Sequence, residues 1–260
     1  MGVPLTTEEY VKRHKADLQA LGFDIQFLAF VIFLLDIKGG DVIKYETEDD
    51  FVVLCADGTK WLIQVKNSVD DNAKMTDADS DFWGTLDNWL TLYAISTSKV
   101  DFLKDGNRFI LYTNKTLSNS FYEQIKGLKQ GKCGIEEVIS FLQQVKETVS
   151  YFPIVEKMLK LGKVELRMFL LKVEVMQVPD SLGALYEKFL NQNNRPTKAE
   201  QIVCELLGKL HTEKINAASN HKILSYEKNA FLKEYRGILQ KVSDESLTPI
   251  IDDNLSLIHI

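Results

Sequence analysis

Few cysteines, no paired metal-ligand spacings and no long apolar run mark these 260 residues. Cys55, Cys133 and Cys204 are scattered, and Cys55 and Cys204 sit in apolar stretches, as core residues do. That excludes a disulfide scaffold and fits a reducing, cytoplasmic compartment. His14, His211 and His221 have no ligand spacing, so no zinc site is written into the chain. There is no Walker motif, internal repeat or low-complexity tract. The most apolar run, "FLAFVIFLL" at 27–35, is bounded by Gln26 and Asp36 and is too short to span a membrane. No signal-peptide pattern is visible. "MGVPLT" fits a loose myristoylation pattern, but no basic patch or second lipid signal accompanies it.

Positive charge is also scarce. With 31 Lys/Arg against 37 Asp/Glu, the net charge is −6, which argues against a protein that simply coats DNA. The deficit is local. Residues 1–100 hold 9 basic and 17 acidic residues (9 − 17 = −8), and residues 101–260 hold the other 22 and 20 (22 − 20 = +2). An acidic half that meets a polyanion needs a local reason, and a metal site supplies one. A solvated acidic surface accounts for most of the other carboxylates. Hydrophobic content of 45% and charged content of 26% are ordinary for a soluble globular chain of this length.

Residues 6–21 read as a helix, with Thr6 and Glu9 at capping-box spacing. A second, buried helix is expected over 22–40, stopping at Gly39–Gly40. Three short strands follow at 41–46, 51–55 and 60–66, the last two joined by a hairpin signal at Asp57–Gly58. Residues 67–80 read as a polar loop, 81–96 as a helix carrying Phe82, Leu86, Trp89 and Tyr93, and 108–114 as a strand. This order predicts a mixed α/β core. Beyond residue 117 helical signals dominate, at 118–128, 134–148, 151–161, 180–192, 197–211 and 226–242. One segment there, 163–175, alternates like a strand, and 191–196 and 216–222 read as loops. Trp83 and Trp89 fit core packing better than base stacking. The lysines of 126–132 and 157–167 fit two roles, tracking of phosphates or a solvated face.

"TKWLIQVKNS" at 59–68 ends in a way a structural strand does not require. Gln64 and Lys66 lie two apart, on one face of the pleat. A two-residue turn at Asp57–Gly58 places Asp49 opposite Lys66 and Phe51 opposite Gln64, whereas one more loop residue brings Asp50 to that face. Glu46 lies just upstream. Acids, amide and amine thus converge at one sheet edge. Oxygen ligands of this kind suit Mg²⁺, with Mn²⁺ as a substitute. An amine beside the metal can position water or stabilise charge developing on phosphorus.

"ETEDD" at 46–50 followed by "IQVKNS" at 63–68 resembles the PD-(D/E)XK nuclease signature, in the variant where Gln replaces the second acid. With "GFDIQ" at 22–26, "FWGTLDNW" at 82–89, "LYTN" at 111–114 and "ILSYEKNAFLKEY" at 223–235, the chain resembles a narrower group. That group is the double-stranded DNA endonuclease effector domain of CD-NTase-associated (CBASS) and STAND-type bacterial anti-phage proteins. The resemblance covers roughly residues 15–245.

The resemblance implies a restriction-endonuclease-like mixed sheet core at 1–117, a mainly helical extension of the same domain at 118–250, and a non-native or truncated tail at 251–260. It also implies Mg²⁺-dependent hydrolysis of double-stranded DNA with low sequence specificity. Asp50, Gln64 and Lys66 take the catalytic positions. Glu46, Asp50, Gln64 and the Val65 carbonyl are the expected metal ligands, and Gln26 and Asp49 support them. Asp50 is preferred to Asp49, because a bulge or longer turn at 56–59 shifts the register. Lys126, Lys129 and Lys132 are expected to contact DNA. "LSLIHI" at 255–260 resembles translated adapter sequence, so a SAVED-like or STAND-like sensor domain is expected to follow in the natural protein. Oligomerisation is expected on activation, and no membrane partner. An inactive assembly module on the same fold and an RNase are the competing expectations.

Overall fold

The computed structural model describes residues 16–70, 72–193 and 196–240. The capping-box pair Thr6 and Glu9 and the tail after 240 lie outside them.

Alternation along the central strands builds a sheet buried on both sides. Phe51, Val53, Ile63, Ile110 and Tyr112 face one core. Val52, Leu62, Phe109, Leu111 and Val173 face the other. Near-continuous apolar runs are what strands covered on both faces require. The sheet comprises β1 (Val42–Tyr45), β2 (Phe51–Leu54), β3 (Lys60–Lys66), β5 (Arg108–Thr113), β7 (Val173–Gln177) and β8 (Ser225–Glu227), in the order β7-β5-β3-β2-β1-β8. β1–β2, β2–β3 and β1–β8 are antiparallel, and β3–β5 and β5–β7 are parallel. The expected mixed α/β core is therefore present. A further pair joins β4 (Lys74–Thr76), inside the stretch read as a loop, to β6 (Thr116–Ser118), whose last residue opens the segment read as a helix.

On the first face, α1 (Ala16–Asp36) supplies Phe27, Phe30, Val31 and Leu34, all buried. It runs unbroken through Gly22, so the expected boundary between two helices at 21–22 is absent. It stops at Asp36, short of Gly39–Gly40. The ammonium of Lys228, itself buried, donates to the carbonyls of Leu34 at 3.1 Å and Leu35 at 2.7 Å, two acceptors the helix end leaves unpaired. Packed on the same core are α8 (Ser181–Asn193), α9 (Pro196–Ser219) and α10 (Lys228–Glu234), followed by α11 (Arg236–Gln240).

The second face carries α2 (Ser80–Ile95), short α3 (Lys99–Phe102), α4 (Ser120–Lys129), α5 (Ile135–Gln143), α6 (Phe152–Leu159) and α7 (Lys163–Lys172). The segment expected as one strand at 163–175 is thus mostly α7, and only its last three residues open β7. Leu166, Phe169 and Leu170 bury one helical face, and Glu165 accepts the Gly162 N–H at the helix start. The helix expected over 226–242 begins instead with β8, which pairs with β1 through Ile43↔Tyr226. Helix α9 extends through the start of the loop expected at 216–222. Both edge strands of the sheet, β7 and β8, come from the 118–250 part of the chain.

Candidate active site

The β2–β3 hairpin sets the register. Its loop holds three residues, Ala56 to Gly58, rather than two. Cys55 N–H donates to the Thr59 carbonyl at 2.9 Å, and Gly58 takes φ 77°, a left-handed conformation suited to glycine. Phe51 therefore pairs with Ile63, not with Gln64, and the same register extended places Asp50 opposite Gln64. The longer-loop alternative holds, and the two-residue turn at Asp57–Gly58 does not.

The turn between β1 and β2 brings the acids to this sheet end. Glu46 sits at φ 47°, which for a non-glycine residue is strained, and its N–H donates to the Asp50 carbonyl at 2.7 Å. Asp50 accepts the Val65 backbone N–H at 2.6 Å through Oδ2. Gln26, buried on α1, donates to the Asp50 carbonyl at 3.4 Å. Asp49 turns toward α2, where the indole of fully buried Trp89 donates to its Oδ2 at 2.7 Å. Trp89 and Trp83 are both core residues.

Gln64 is buried, and its Oε1 accepts from the Asn88 amide at 3.1 Å. That leaves its NH₂ facing Asp50, and a half-turn of the amide exchanges the two ends. Beyond Lys66, the chain is clasped to β5. Asn114 N–H donates to Asn67 Oδ1 at 3.0 Å, Ser68 N–H donates to Asn114 Oδ1 at 2.9 Å, and Asn114 Nδ2 donates to the Ser68 carbonyl at 2.7 Å. The clasp fixes the backbone from which Lys66 projects.

The electrostatics are those of acids held out of water. Burial pushes Asp49 up to about 7; the Trp89 hydrogen bond opposes this and the Asp50 charge adds to it. Burial also raises Asp50, against the Val65 N–H, the Gln64 amide and the Lys66 charge. Lys66 is thus close enough for its charge to act on both. A cleft of about 560 Å³ opens here, lined by Phe23, Gln26, Glu46, Glu48, Asp49, Asp50, Gln64, Asn88 and Thr91.

Among the described residues, no group of three or more His, Cys, Asp or Glu side chains is arranged to hold a metal ion. The donors present are carboxylate and amide oxygens, and two half-buried acids lie side by side with raised pKa values. Such a set fits a hard divalent cation that keeps several of its waters, as Mg²⁺ does. Glu46 and Asp50 both line the cleft, and Val65 follows Gln64 on β3.

The lysines expected to contact DNA lie elsewhere. Lys126 pairs with Glu123 at 2.6 Å, Lys129 lies 4.0 Å from Glu174 and is lowered by burial, and Lys132 is exposed. None lines the cleft. The roles of three residues near the acids escaped the sequence reading. Asn88 entered only within "FWGTLDNW", and Trp89 only as a core residue. Lys214 on α9 places its ammonium over the rings of Phe27 at 4.7 Å and Tyr45 at 5.4 Å, facing the Asp24 and Glu46 charges.

No protein-family model matches the sequence, and no curated protein matches it. Among solved structures, the chain is similar to the Moraxella osloensis Cap4 SAVED/CARF-domain containing receptor, at 17% identity and a TM-score of 0.47. The match covers 85% of this chain and 48% of that one, so the chain spans about half the length of the structure it matches. No helix of the described residues is long and apolar enough to cross a membrane.

Proposed function

We propose that this chain is a metal-dependent endonuclease on a restriction-endonuclease-like core, hydrolysing phosphodiester bonds of double-stranded DNA with little sequence preference. The observation that carries the reading is the register: extended by one pair it sets Asp50 opposite Gln64, both lining an acidic cleft, with Lys66 two residues on along the same strand face. That arrangement agrees with the sequence resemblance, which had selected Asp50 over Asp49 on other grounds.

Glu46, Asp50, Gln64 and the Val65 carbonyl are the residues that would hold Mg²⁺. When bound, the cation supplies neutralisation of charge on a phosphate. The remaining roles belong to side chains of this chain. Lys66, projecting from a backbone fixed by the Asn67–Asn114 clasp, donates to a phosphate oxygen and stabilises the charge that grows there. Asn88 holds the Gln64 amide, and Gln26 and the Val65 N–H hold Asp50, so the polar groups are oriented before substrate arrives.

In this reading the chain is the effector part of an anti-phage sensor–effector protein of the cytoplasm. It is weakly active alone and makes double-strand breaks when copies are brought together by a SAVED-like or STAND-like sensor. The test is incubation of wild type and Lys66→Ala with plasmid DNA and with RNA, with and without Mg²⁺. Cleavage of DNA by wild type alone, and only with metal, supports the reading. RNA cleavage alone points to an RNase, and no cleavage of either points to an assembly module.

A further inference from the structure

The acidic cleft repels the substrate it is read as cutting, so affinity for a polyanion has to come from a neighbouring surface. One adjoins it. On the other side of α2 a second groove of about 570 Å³ runs between that helix and the junction of α6 and α7. Thr91, exposed on α2, lines both depressions, so only the ridge of one helix separates them. The second groove is lined by Lys99, Lys157 and Lys160, with Glu165 as its one acid.

The state of each charge favours a phosphate. Both oxygens of Glu165 are engaged, one by the Tyr93 hydroxyl at 2.9 Å and the other by the Gly162 N–H at 3.1 Å. Lys99 donates to the Tyr93 and Ala94 carbonyls, covering the negative end of α2 that would otherwise face the groove. Lys157 is exposed and meets Asp87 at 2.5 Å, a surface pair of little net worth that a phosphate can displace. Lys160 is exposed, and its ammonium has no ion pair or hydrogen bond among the described residues. Lys157 and Lys160 are three apart at the end of α6, so they project side by side. Asp87, which Lys157 touches, is one helical turn from Thr91. In contrast, Lys126 and Lys129 on α4 are beside Glu123 and Glu174.

We propose that the groove between α2 and the α6–α7 junction is the phosphate track of this chain, where Lys157 and Lys160 hold the backbone of duplex DNA while a neighbouring phosphodiester crosses the α2 ridge into the acidic cleft. The inference rests on the nuclease reading for its substrate. It replaces the α4 lysines as the DNA contact.

The experiment compares wild type with Lys157→Glu/Lys160→Glu and with Lys126→Glu/Lys132→Glu. Binding of a fluorescein-labelled duplex oligonucleotide is followed against salt, together with cleavage of the duplex and Mg²⁺-dependent hydrolysis of bis(p-nitrophenyl) phosphate, which is too small to reach the groove. The groove variant is expected to lose about tenfold or more in duplex affinity and about two in the slope of log K against log salt, since each phosphate contact contributes roughly 0.9. Small-ester hydrolysis and the melting temperature should stay at wild-type values, and the α4 variant should match wild type throughout. Lys157→Gln/Lys160→Gln, which adds no negative charge, should show a smaller loss in the same direction. Wild-type affinity in the groove variants, loss in the α4 variant instead, or no duplex binding by wild type each overturns the inference. A wild type that binds duplex through these lysines yet hydrolyses neither substrate keeps the track and removes the nuclease reading.

Discussion

The carboxylate of Asp50 accepts the backbone N–H of Val65 at 2.6 Å, tying the acid to the strand that carries Gln64 and Lys66. Asp50 is therefore both a ligand candidate and part of the ladder, and two substitutions separate the roles. Asp50→Asn keeps an acceptor for the Val65 N–H, whereas Asp50→Ala leaves that donor unpaired, at about 1–3 kcal/mol. Both should abolish plasmid cleavage, and Asp50→Ala alone should lower the melting temperature. Asp50→Asn cutting at the wild-type rate would remove Asp50 from the site.

Lys66→Ala should fold normally, because a half-exposed side chain at a strand end usually costs within ~0.5 kcal/mol. Losing one electrostatic contact at the reacting phosphate typically costs about 10²–10³ in rate. Plasmid cleavage should drop by that factor, with weak DNA binding and the melting temperature retained. An unchanged cleavage rate in a normally folded variant would show that the chemistry lies elsewhere.

Asp49 faces the Trp89 indole, and burial raises it to about 7, so near neutrality it carries much less charge than an ordinary carboxylate. Asp49→Asn, which keeps an acceptor for Trp89, should therefore retain more cleavage activity than Asp50→Asn. The reverse ranking would make Asp49 the principal acid.

Adjacent half-buried carboxylates are stabilised by a bound divalent cation, and such binding raises the melting temperature by mass action. Titrating Mg²⁺ or Mn²⁺ into EDTA-treated protein should raise it, and the rise should vanish in Asp50→Asn. Cleavage should be absent in EDTA. Undiminished cutting there would rule out the metal-dependent reading.

Lys228 supplies a pH dependence far from the cleft. Burial lowers it to about 8, with the Asp36 and Asp41 charges opposing that fall and the Lys188 charge adding to it. Between about 8 and the ordinary lysine value of about 10.4, the unfolded chain holds a proton that the folded chain has released. The cost of burying its charge, constant below about 8, should therefore shrink as pH rises through that window, so stability grows there. The difference in stability between wild type and Lys228→Met, followed by denaturant unfolding from pH 7 to 10.5, should change in wild type's favour. A flat difference would show that Lys228 titrates normally.

The sheet core and the acidic constellation were legible because their signals are local. Apolar runs mark β2 and β3, Asp57–Gly58 marks the turn, and Gln64 and Lys66 stand out against their strand. Sequence alone left the register between two values, since Asp57–Gly58 serves a two-residue or a three-residue loop. The structure decided it through Gly58, which takes a left-handed conformation at the end of the longer loop. Segment 163–175 misled because Val164, Leu166 and Met168 alternate while Leu166, Phe169 and Leu170 follow a helical period, and only packing chooses between them. β8 and β4 are three residues each, too short to carry a period, and exist because a distant strand pairs with them. Lys214 was invisible for the same reason: nothing local reports that α9 lies over Phe27 and Tyr45.

Pairing of Val42–Tyr45 with Ser225–Glu227 has a consequence for biosynthesis. Chains fold from the N-terminus as they leave the ribosome, and contacts between distant segments form last. β1 gains its outer neighbour only after Glu227 has been made, and Lys214 covers Tyr45, beside the strained Glu46 turn, only when α9 has docked. Nascent or prematurely terminated chains that hold Asp50, Gln64 and Lys66 still lack the strand that closes this side of the sheet and the helix that covers Tyr45.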